Sequence, residues 1–273
     1  TTNRKGGRTS VTIFNAVYKE DLHVVPADPR FVTHFLNRST HIEYPNLEPR
    51  LKLPFLDELI HIPMKYDCQE SEDNTVCPFD YVIFTNADIG VHESFYHTVA
   101  NIVRKEPRKH RAFAINRKEL SASHNDSEKL LTGSETDLKL IYNLMPGGTE
   151  HPGTDCFVFQ SSLLHRLDLG NVFIGFPPFS FVLKKTLQAL EPEYFEYKSG
   201  VWNLTFHLGA DDDGKWKNSD NHSQEYESII ERIRICYRAK WLLWEQPTSK
   251  ITGVTERFYT IYSTRLTQFI SKT

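Results

Sequence analysis

The sequence predicts an α/β domain with a mostly parallel central sheet flanked by helices. Three observations predict it. Strand-like and helix-like segments alternate along the chain. Several of the strand-like runs carry a polar cluster at one end, as expected where a parallel sheet meets a ligand. The chain has 273 residues, of which 39% are hydrophobic, so a sizeable core can form.

Taken in order, the β-branched run "SVTIFNAVY" (Ser10–Tyr18) predicts a first strand. "DPRFVTHFLNR" (Asp28–Arg38) and "LPFLDELIHI" (Leu53–Ile62) read as short helices. "YVIFT" (Tyr81–Thr85) is a strand. "ESFYHTVANIVRK" comes next, with Phe95, Val99, Ile102 and Val103 at helical spacing. "RAFAIN" (Arg111–Asn116) and "DCFVFQ" (Asp155–Gln160) are strands, the second leading into a helix through "SSLLHRL". "FSFVLKKTLQAL" is helical, with Leu183, Leu187 and Leu190 on one face, and "WNLTFHL" (Trp202–Leu208) is a late strand. Tyr226, Ile229, Ile230, Ile233, Tyr237, Trp241 and Trp244 then form one apolar stripe, stopped by Pro247. A last helix is expected over Glu256–Ile270. The expected organisation is one domain over 1–222 with a helical extension, 223–273, docked on it.

Charge and composition narrow the function classes. Charged residues make up 25%, and 32 basic against 35 acidic residues leave a net charge of −3. A nucleic-acid protein normally carries a basic excess, so no nucleic-acid partner is expected. The dense "VRKEPRKHR" (Val103–Arg111) reads as a solvated turn. No apolar run approaches the ~18 residues that span a membrane. The opening residues "TTNRKGGRTS" hold no signal-peptide pattern and, lacking Met, say nothing about a leader.

The four cysteines, Cys68, Cys77, Cys156 and Cys236, form no C-x-x-C and no zinc spacing. Cys68 and Cys77 flank the acidic loop "CQESEDNTVC", either as a disulfide or as two thiols. Sequons at Asn37, Asn125, Asn203 and Asn221 favour the secretory lumen (Golgi or ER) over the cytosol and a glycoprotein.

The candidate site comes from the polar residues at the strand ends. Asn15 and Ala16 follow "SVTIF", Asn86 and Asp88 stand after "YVIFT", and Asn116 and Arg117 after "RAFAI". Asp155 stands in "HPGTDCFVF" after a Pro-Gly turn, and His207 follows "LTF". A carboxylate and an imidazole, Asp88 with His207, suit a divalent ion such as Mn²⁺; Mg²⁺ would more often take oxygen ligands alone. Each residue also has a plainer reading: Asp88 as a helix cap, His207 as a packed histidine, Asp155 as a turn residue. Asp155 is the candidate general base for an acceptor hydroxyl. "PGG" (Pro146–Gly148) marks a loop able to move over a site. "GADDDGKWKNSD" fails as a calcium loop, because Gly209 falls where the first carboxylate is required. No Walker motif, G-x-G-x-x-G after a strand, G-x-S-x-G or H-E-x-x-H occurs.

The order of these motifs resembles a GT-A-type glycosyltransferase over roughly Ser10 to Trp216. "IFNAVYKED" is similar to the strand and loop that hold the nucleotide base, and "YVIFTNADIG" to the strand ending in the D-x-D metal motif. "HPGTDCFVF" is similar to the acceptor-side strand with its pocket-facing acid, and "LTFHLG" to the segment whose histidine completes the metal site. The first acid of D-x-D is Asn86 here; the last, which makes the direct metal contact in that family, is Asp88. The resemblance implies a transferase moving a sugar from a nucleotide-diphosphate sugar, UDP-sugar first, to a hydroxyl of a glycan, protein or small molecule. It implies Mn²⁺ or Mg²⁺ at Asp88 and His207. Donor contacts would come from Asn15, Ala16, Asn86, Arg117 and Lys215. Two other readings use the same residues: a metal-dependent nucleotidyltransferase or phosphodiesterase, and an inactive glycan- or nucleotide-binding module.

Overall fold

The computed structural model describes residues 10–208, apart from positions 26, 28, 30, 44–51, 67, 71–74, 87–88, 108, 121–134, 171, 175–177 and 199–202. The expected helical extension over 223–273 therefore lies outside the described residues, with its stripe from Tyr226 to Trp244. In chain order the strands are β1 (Ile13–Val17), β2 (Phe31–Phe35), β3 (Gln69–Glu70), β4 (Thr75–Val76), β5 (Tyr81–Thr85), β6 (Ile89–Val91), β7 (Ala112–Leu120), β8 (Thr149–Gln160), β9 (Phe195–Tyr197) and β10 (Thr205–Leu208). The helices are α1 (Thr40–Glu43), α2 (Leu56–Ile60), α3 (Phe95–Lys105), α4 (Glu135–Leu144) and α5 (Pro178–Leu190).

The main sheet has six strands, ordered β5-β8-β7-β10-β6 with β9 also on β7. It is mixed, which corrects the expectation of a mostly parallel sheet. β8 runs antiparallel to both β5 and β7, and β6 antiparallel to β10; only β9 and β10 lie parallel to β7. The apolar runs "AFAI" and "CFVF" are buried because both faces of the sheet are covered, and burial alone does not fix strand direction.

Side-chain alternation divides the core into two layers. On one face Ala112, Ala114, Phe157 and Phe159 meet Val182, Leu183 and Leu187 of α5. On the other, Phe113, Ile115, Cys156 and Val158 meet Phe95, Val99 and Ile102 of α3. Burial of each such phenylalanine contributes roughly 1.5–3 kcal/mol. α3 ends on Arg104 and Lys105, cations that suit the negative end of a helix.

β1 and β2 form a separate parallel pair, from Ile13 opposite Phe31 to Val17 opposite Phe35. The helix expected over Asp28–Arg38 is thus a strand: pairing with β1 overrides the helical spacing, and "FVTHF" is rich in residues that suit a pleated surface. The segment after β8 is a 3-10 turn, Ser161–Arg166, rather than an α-helix. Its first amide is taken by the Asp80 carbonyl at 3.0 Å.

Two glycines allow close approaches. A Cβ on Gly90 of β6 would lie 2.2 Å from the ring of Phe206 in β10. One on Gly148 would lie 2.7 Å from Leu120 Cδ2 and 3.0 Å from the Glu119 carbonyl oxygen. The "PGG" segment is accordingly packed against β7: Met145–Gly147 is a 3-10 turn, and Lys118 Nζ donates to the Gly148 carbonyl at 3.1 Å.

Candidate functional site

The ladder between β7 and β8 loses register where the candidate residues lie. Ile115 faces Cys156, whereas Asn116 faces Thr154, so Asp155 has no residue opposite it in β7. The next pair is Lys118 with Glu150, leaving "HPG" (His151–Gly153) with further unmatched residues. A bulge of this kind bends a strand and re-aims a side chain. On its other edge β7 changes partner at the same level: β9 covers Phe113–Ile115 and β10 covers Lys118–Leu120. Arg117 sits between these two partners.

The re-aimed side chains join in one hydrogen-bonded chain. Asn86, just past β5, donates from Nδ2 to Asp155 Oδ1 at 3.2 Å. Arg117 donates through Nη1 to Asp155 Oδ2 and through Nε to Glu119 Oε1, the latter at 2.5 Å. The other Glu119 oxygen lies 2.8 Å from His207 Nδ1. Arg117 and Glu119 are two apart in β7 and so share a face. Glu119 and Ile89 are the residues opposite His207 on its two flanking strands.

The electrostatics reflect burial and pairing together. Burial opposes ionisation of Glu119, but the hydrogen bonds and charges of Arg117 and His207 outweigh it and hold the carboxyl below its usual value. Burial likewise opposes the Arg117 cation, and Glu119 and Asp155 outweigh it, raising the guanidinium pKa. Two carboxylates, Glu119 and Asp155, stand against one guanidinium. A carboxylate only accepts, so Glu119 takes a proton donated by Nδ1 of His207. The Oδ1 of Asn86 is buried with no hydrogen-bond partner among the described residues.

These contacts sort the expected residues. Asn86, Arg117, Asp155 and His207 come together. Asn15 and Ala16 lie in the separate β1–β2 sheet, where Ala16 packs on the Tyr18, Leu36 and Ile62 cluster. Asp88, Lys215 and the acidic run Asp211–Asp213 lie outside the described residues. Both oxygens of Asp155 accept hydrogen bonds, so it anchors Arg117, and a base role would use a remaining lone pair. Arg117 is clamped between two carboxylates, which offset its charge toward any phosphate.

The sequence reading missed Glu119. Its signal was the alternation in "NRKEL", where the strand continues past the apolar run with Arg117 and Glu119 on one face and Lys118 and Leu120 on the other.

As a test of fit for a divalent cation, no group of three or more His, Cys, Asp or Glu converges among the described residues. What is present is one imidazole backed by a carboxylate, the arrangement that orients a metal-ligating histidine. The set fits a cation only with a further ligand. Asp88 is joined by one peptide bond to Ile89, which faces His207.

Other features stand apart from this network. A groove of about 710 Å³, lined by Thr98, Asn101, Lys105, Lys109, Phe195 and Tyr197 among others, opens at the far end of β7. It shares no lining residue with the network, and Lys109 is paired with Glu106 at 2.6 Å. Cys68 and Cys77 are joined in a disulfide. Cys156 is buried, which pushes its thiol up to about 12 and makes it inert. Of the sequons, Asn37 is exposed, whereas Asn203 has φ 43° and a buried side-chain oxygen. No helix among the described residues is long and apolar enough to cross a membrane. Compared with family models, with curated proteins and with solved structures, the chain finds no match.

Proposed function

We propose that the chain is a GT-A-type glycosyltransferase, moving a sugar from a nucleotide-diphosphate sugar, UDP-sugar first, to an acceptor hydroxyl. The observation that carries this reading is the convergence of Asn86, Arg117, Asp155 and His207, each in or beside a different strand, into one chain of hydrogen bonds in which two carboxylates, Asp155 and Glu119, meet one guanidinium. Such a cluster attracts a cation rather than a bare phosphate. His207 would hold Mn²⁺ or Mg²⁺ together with Asp88, and the nitrogen donor favours Mn²⁺. Bound there, the cation would offset the charge on the departing diphosphate.

The remaining roles belong to the protein's own side chains. The buried Asn86 Oδ1 is an acceptor suited to a hydroxyl of the donor's ribose or sugar. Arg117 keeps Asp155 fixed beside Asn86, and Asp155 is the acid placed to receive the acceptor's proton. The acceptor class spans glycans, proteins and small molecules. The Cys68–Cys77 disulfide supports an oxidising compartment, in line with the sequons and the secretory lumen.

The same donor set would serve a metal-dependent nucleotidyltransferase or phosphodiesterase. Asn86 in place of an acid, and the lack of a three-ligand group among the described residues, favour a glycan- or nucleotide-binding module as the second reading. The test is release of free nucleoside diphosphate from a panel of sugar nucleotides, with and without Mn²⁺. Turnover that needs Mn²⁺ and is lost in Asp88→Ala and His207→Ala supports the transferase. Binding without turnover makes the chain a module. A panel in which no sugar nucleotide raises the melting temperature refutes the transferase.

A further inference from the structure

We infer that Asn37 is a site of N-linked glycosylation, modified before the chain around it folds. The inference rests on the secretory lumen of the proposed function and not on any sugar transfer by the chain itself. The acceptor is the side-chain amide of the sequon Asn37-Arg38-Ser39, and the donor class is a lipid-linked oligosaccharyl diphosphate. In the step, Nδ2 of Asn37 forms a bond to the anomeric carbon of the first sugar. The bond from that carbon to the diphosphate oxygen breaks, the diphosphate keeps the electron pair, and one amide proton is released.

Three facts carry it. Asn37 is exposed just past the end of β2, and among the described residues its side chain makes no hydrogen bond, so a bulky surface group there costs the fold no contact of that side chain. The backbone beneath it is held: the amides of Asn37 and Arg38 donate to Glu58 Oε1 and Oε2 at 3.0 and 3.1 Å. The Cys68–Cys77 disulfide suits the oxidising lumen in which such a transfer takes place. Asn203, in the sequon Asn203-Leu204-Thr205, differs: its side-chain oxygen is buried, and a glycan on the same amide group would crowd the start of β10.

The hydroxyl of the same sequon sets the order of events. Ser39 is 0% exposed, its Oγ lies 3.4 Å from the Ile42 amide nitrogen, and its carbonyl accepts the amides of Ile42 and Glu43 at 3.1 and 3.0 Å. Arg38 between them is also tied down, with Nε donating to Glu43 Oε1 at 2.5 Å and the guanidinium 4.2 Å from the centre of the Phe55 ring. The sequon is defined by its hydroxyl residue as much as by its asparagine. A transferring enzyme must therefore meet Ser39 before it packs, while the finished fold has only to leave Asn37 in the open.

The test is expression of the 273-residue chain in mammalian cells behind a cleavable export signal, read on chain recovered from cells and medium alike. After enzymatic release of N-glycans in heavy-oxygen water, peptide mass spectrometry should find Asn37 converted to labelled aspartate. Asn37→Gln, which keeps the backbone amide bonded to Glu58, should lose that glycan from its gel mobility, and Ser39→Thr, which keeps the sequon, should retain it. The order of events is read with a purified oligosaccharyltransferase and a lipid-linked oligosaccharide. The full chain, reduced and unfolded, should be modified at Asn37, and the folded, disulfide-bonded chain should not. Equal modification of the two overturns the order of events. An exported chain whose Asn37 is unmodified, or labelled only at Asn203, overturns the inference and leaves the sugar-transfer reading untouched. A glycan on Asn37 of a chain that neither binds nor turns over a sugar nucleotide upholds the inference and counts against the transferase alone.

Discussion

Arg117 and Asp155 form an ion pair in which each side chain is only 11% exposed, and neither is held by that contact alone. Asp155 also accepts from Asn86, and Arg117 also donates to Glu119. Removing one partner of such a pair strands a charge in a poorly solvated place, which is costlier than never having had the pair.

Arg117→Met should therefore destabilise the fold by about 3–5 kcal/mol, because it leaves Asp155 and Glu119 near each other without a cation. Urea unfolding of the variant against the wild type reads this. A loss below about 1 kcal/mol would mean the pair is solvated and contributes as a surface ion pair does.

His61 gives a pH prediction. Its Nδ1 lies 2.8 Å from the Asp57 carbonyl and its Nε2 3.0 Å from the Leu164 carbonyl, so only the protonated ring donates to both. Burial works against that charge, but the bonds to Asp57 and Leu164 and the Asp57 carboxylate 3.3 Å away outweigh it and raise the pKa above 6.5. A raised folded-state value means the contribution is fully present below the unfolded value of about 6.5 and is lost as pH climbs through the folded value. Wild-type stability should fall across that interval, and His61→Gln should flatten the slope there. Equal slopes would show that the ring is neutral in the fold.

Gly90→Ala places a methyl 2.2 Å from the Phe206 ring, which is itself packed with Leu120, Ile141 and Met145. The expected cost is about 1–3 kcal/mol. Phe206→Leu in the same chain should recover part of it, with a coupling of about 0.5–3 kcal/mol in the double-mutant cycle. Strict additivity would mean that the ring moves aside freely.

The Cys68–Cys77 disulfide closes a loop with a sequence separation of 9. The loop-entropy relation gives about 2–3 kcal/mol for a ring of that size. Cys68→Ser with Cys77→Ser should lower stability by that amount. Mass spectrometry after alkylation should find both thiols blocked until a reductant is added. Alkylation of both without reductant contradicts the bond.

Much of this architecture could be read from residue patterns, and the failures have physical causes. α3 and α5 were legible because Phe95, Val99, Ile102, Leu183 and Leu187 repeat at helical spacing on faces that are buried. Strand direction was not, since Phe157 and Val158 are buried whichever way β8 runs. "FVTHF" became a strand only through its partner β1, a contact between segments that local spacing does not encode. In the hydrogen-bonded cluster, Asn86, Arg117, Asp155 and His207 stand out in the sequence because each flanks or breaks an apolar run. Glu119 lay well past the last apolar residue of its run, Asn15 follows an apolar run that pairs in a separate sheet, and the shift that aims Asp155 is a property of the ladder and not of either strand.

The edge of β7 that changes partner from β9 to β10 has a consequence for how the molecule can vary. His207 enters the sheet on a short ribbon: β10 meets β7 through Phe206, His207 and Leu208 only, and β6 is attached through β10. Thr205 adds one tether, its Oγ1 donating to the Asn116 carbonyl at 3.0 Å. The layers around Phe113 and Phe157 do not depend on that ribbon for their strand pairing. A lineage could therefore remodel the β6–β10 ribbon, and with it the placement of His207 against Glu119, while the scaffold beneath α3 and α5 stayed as it is.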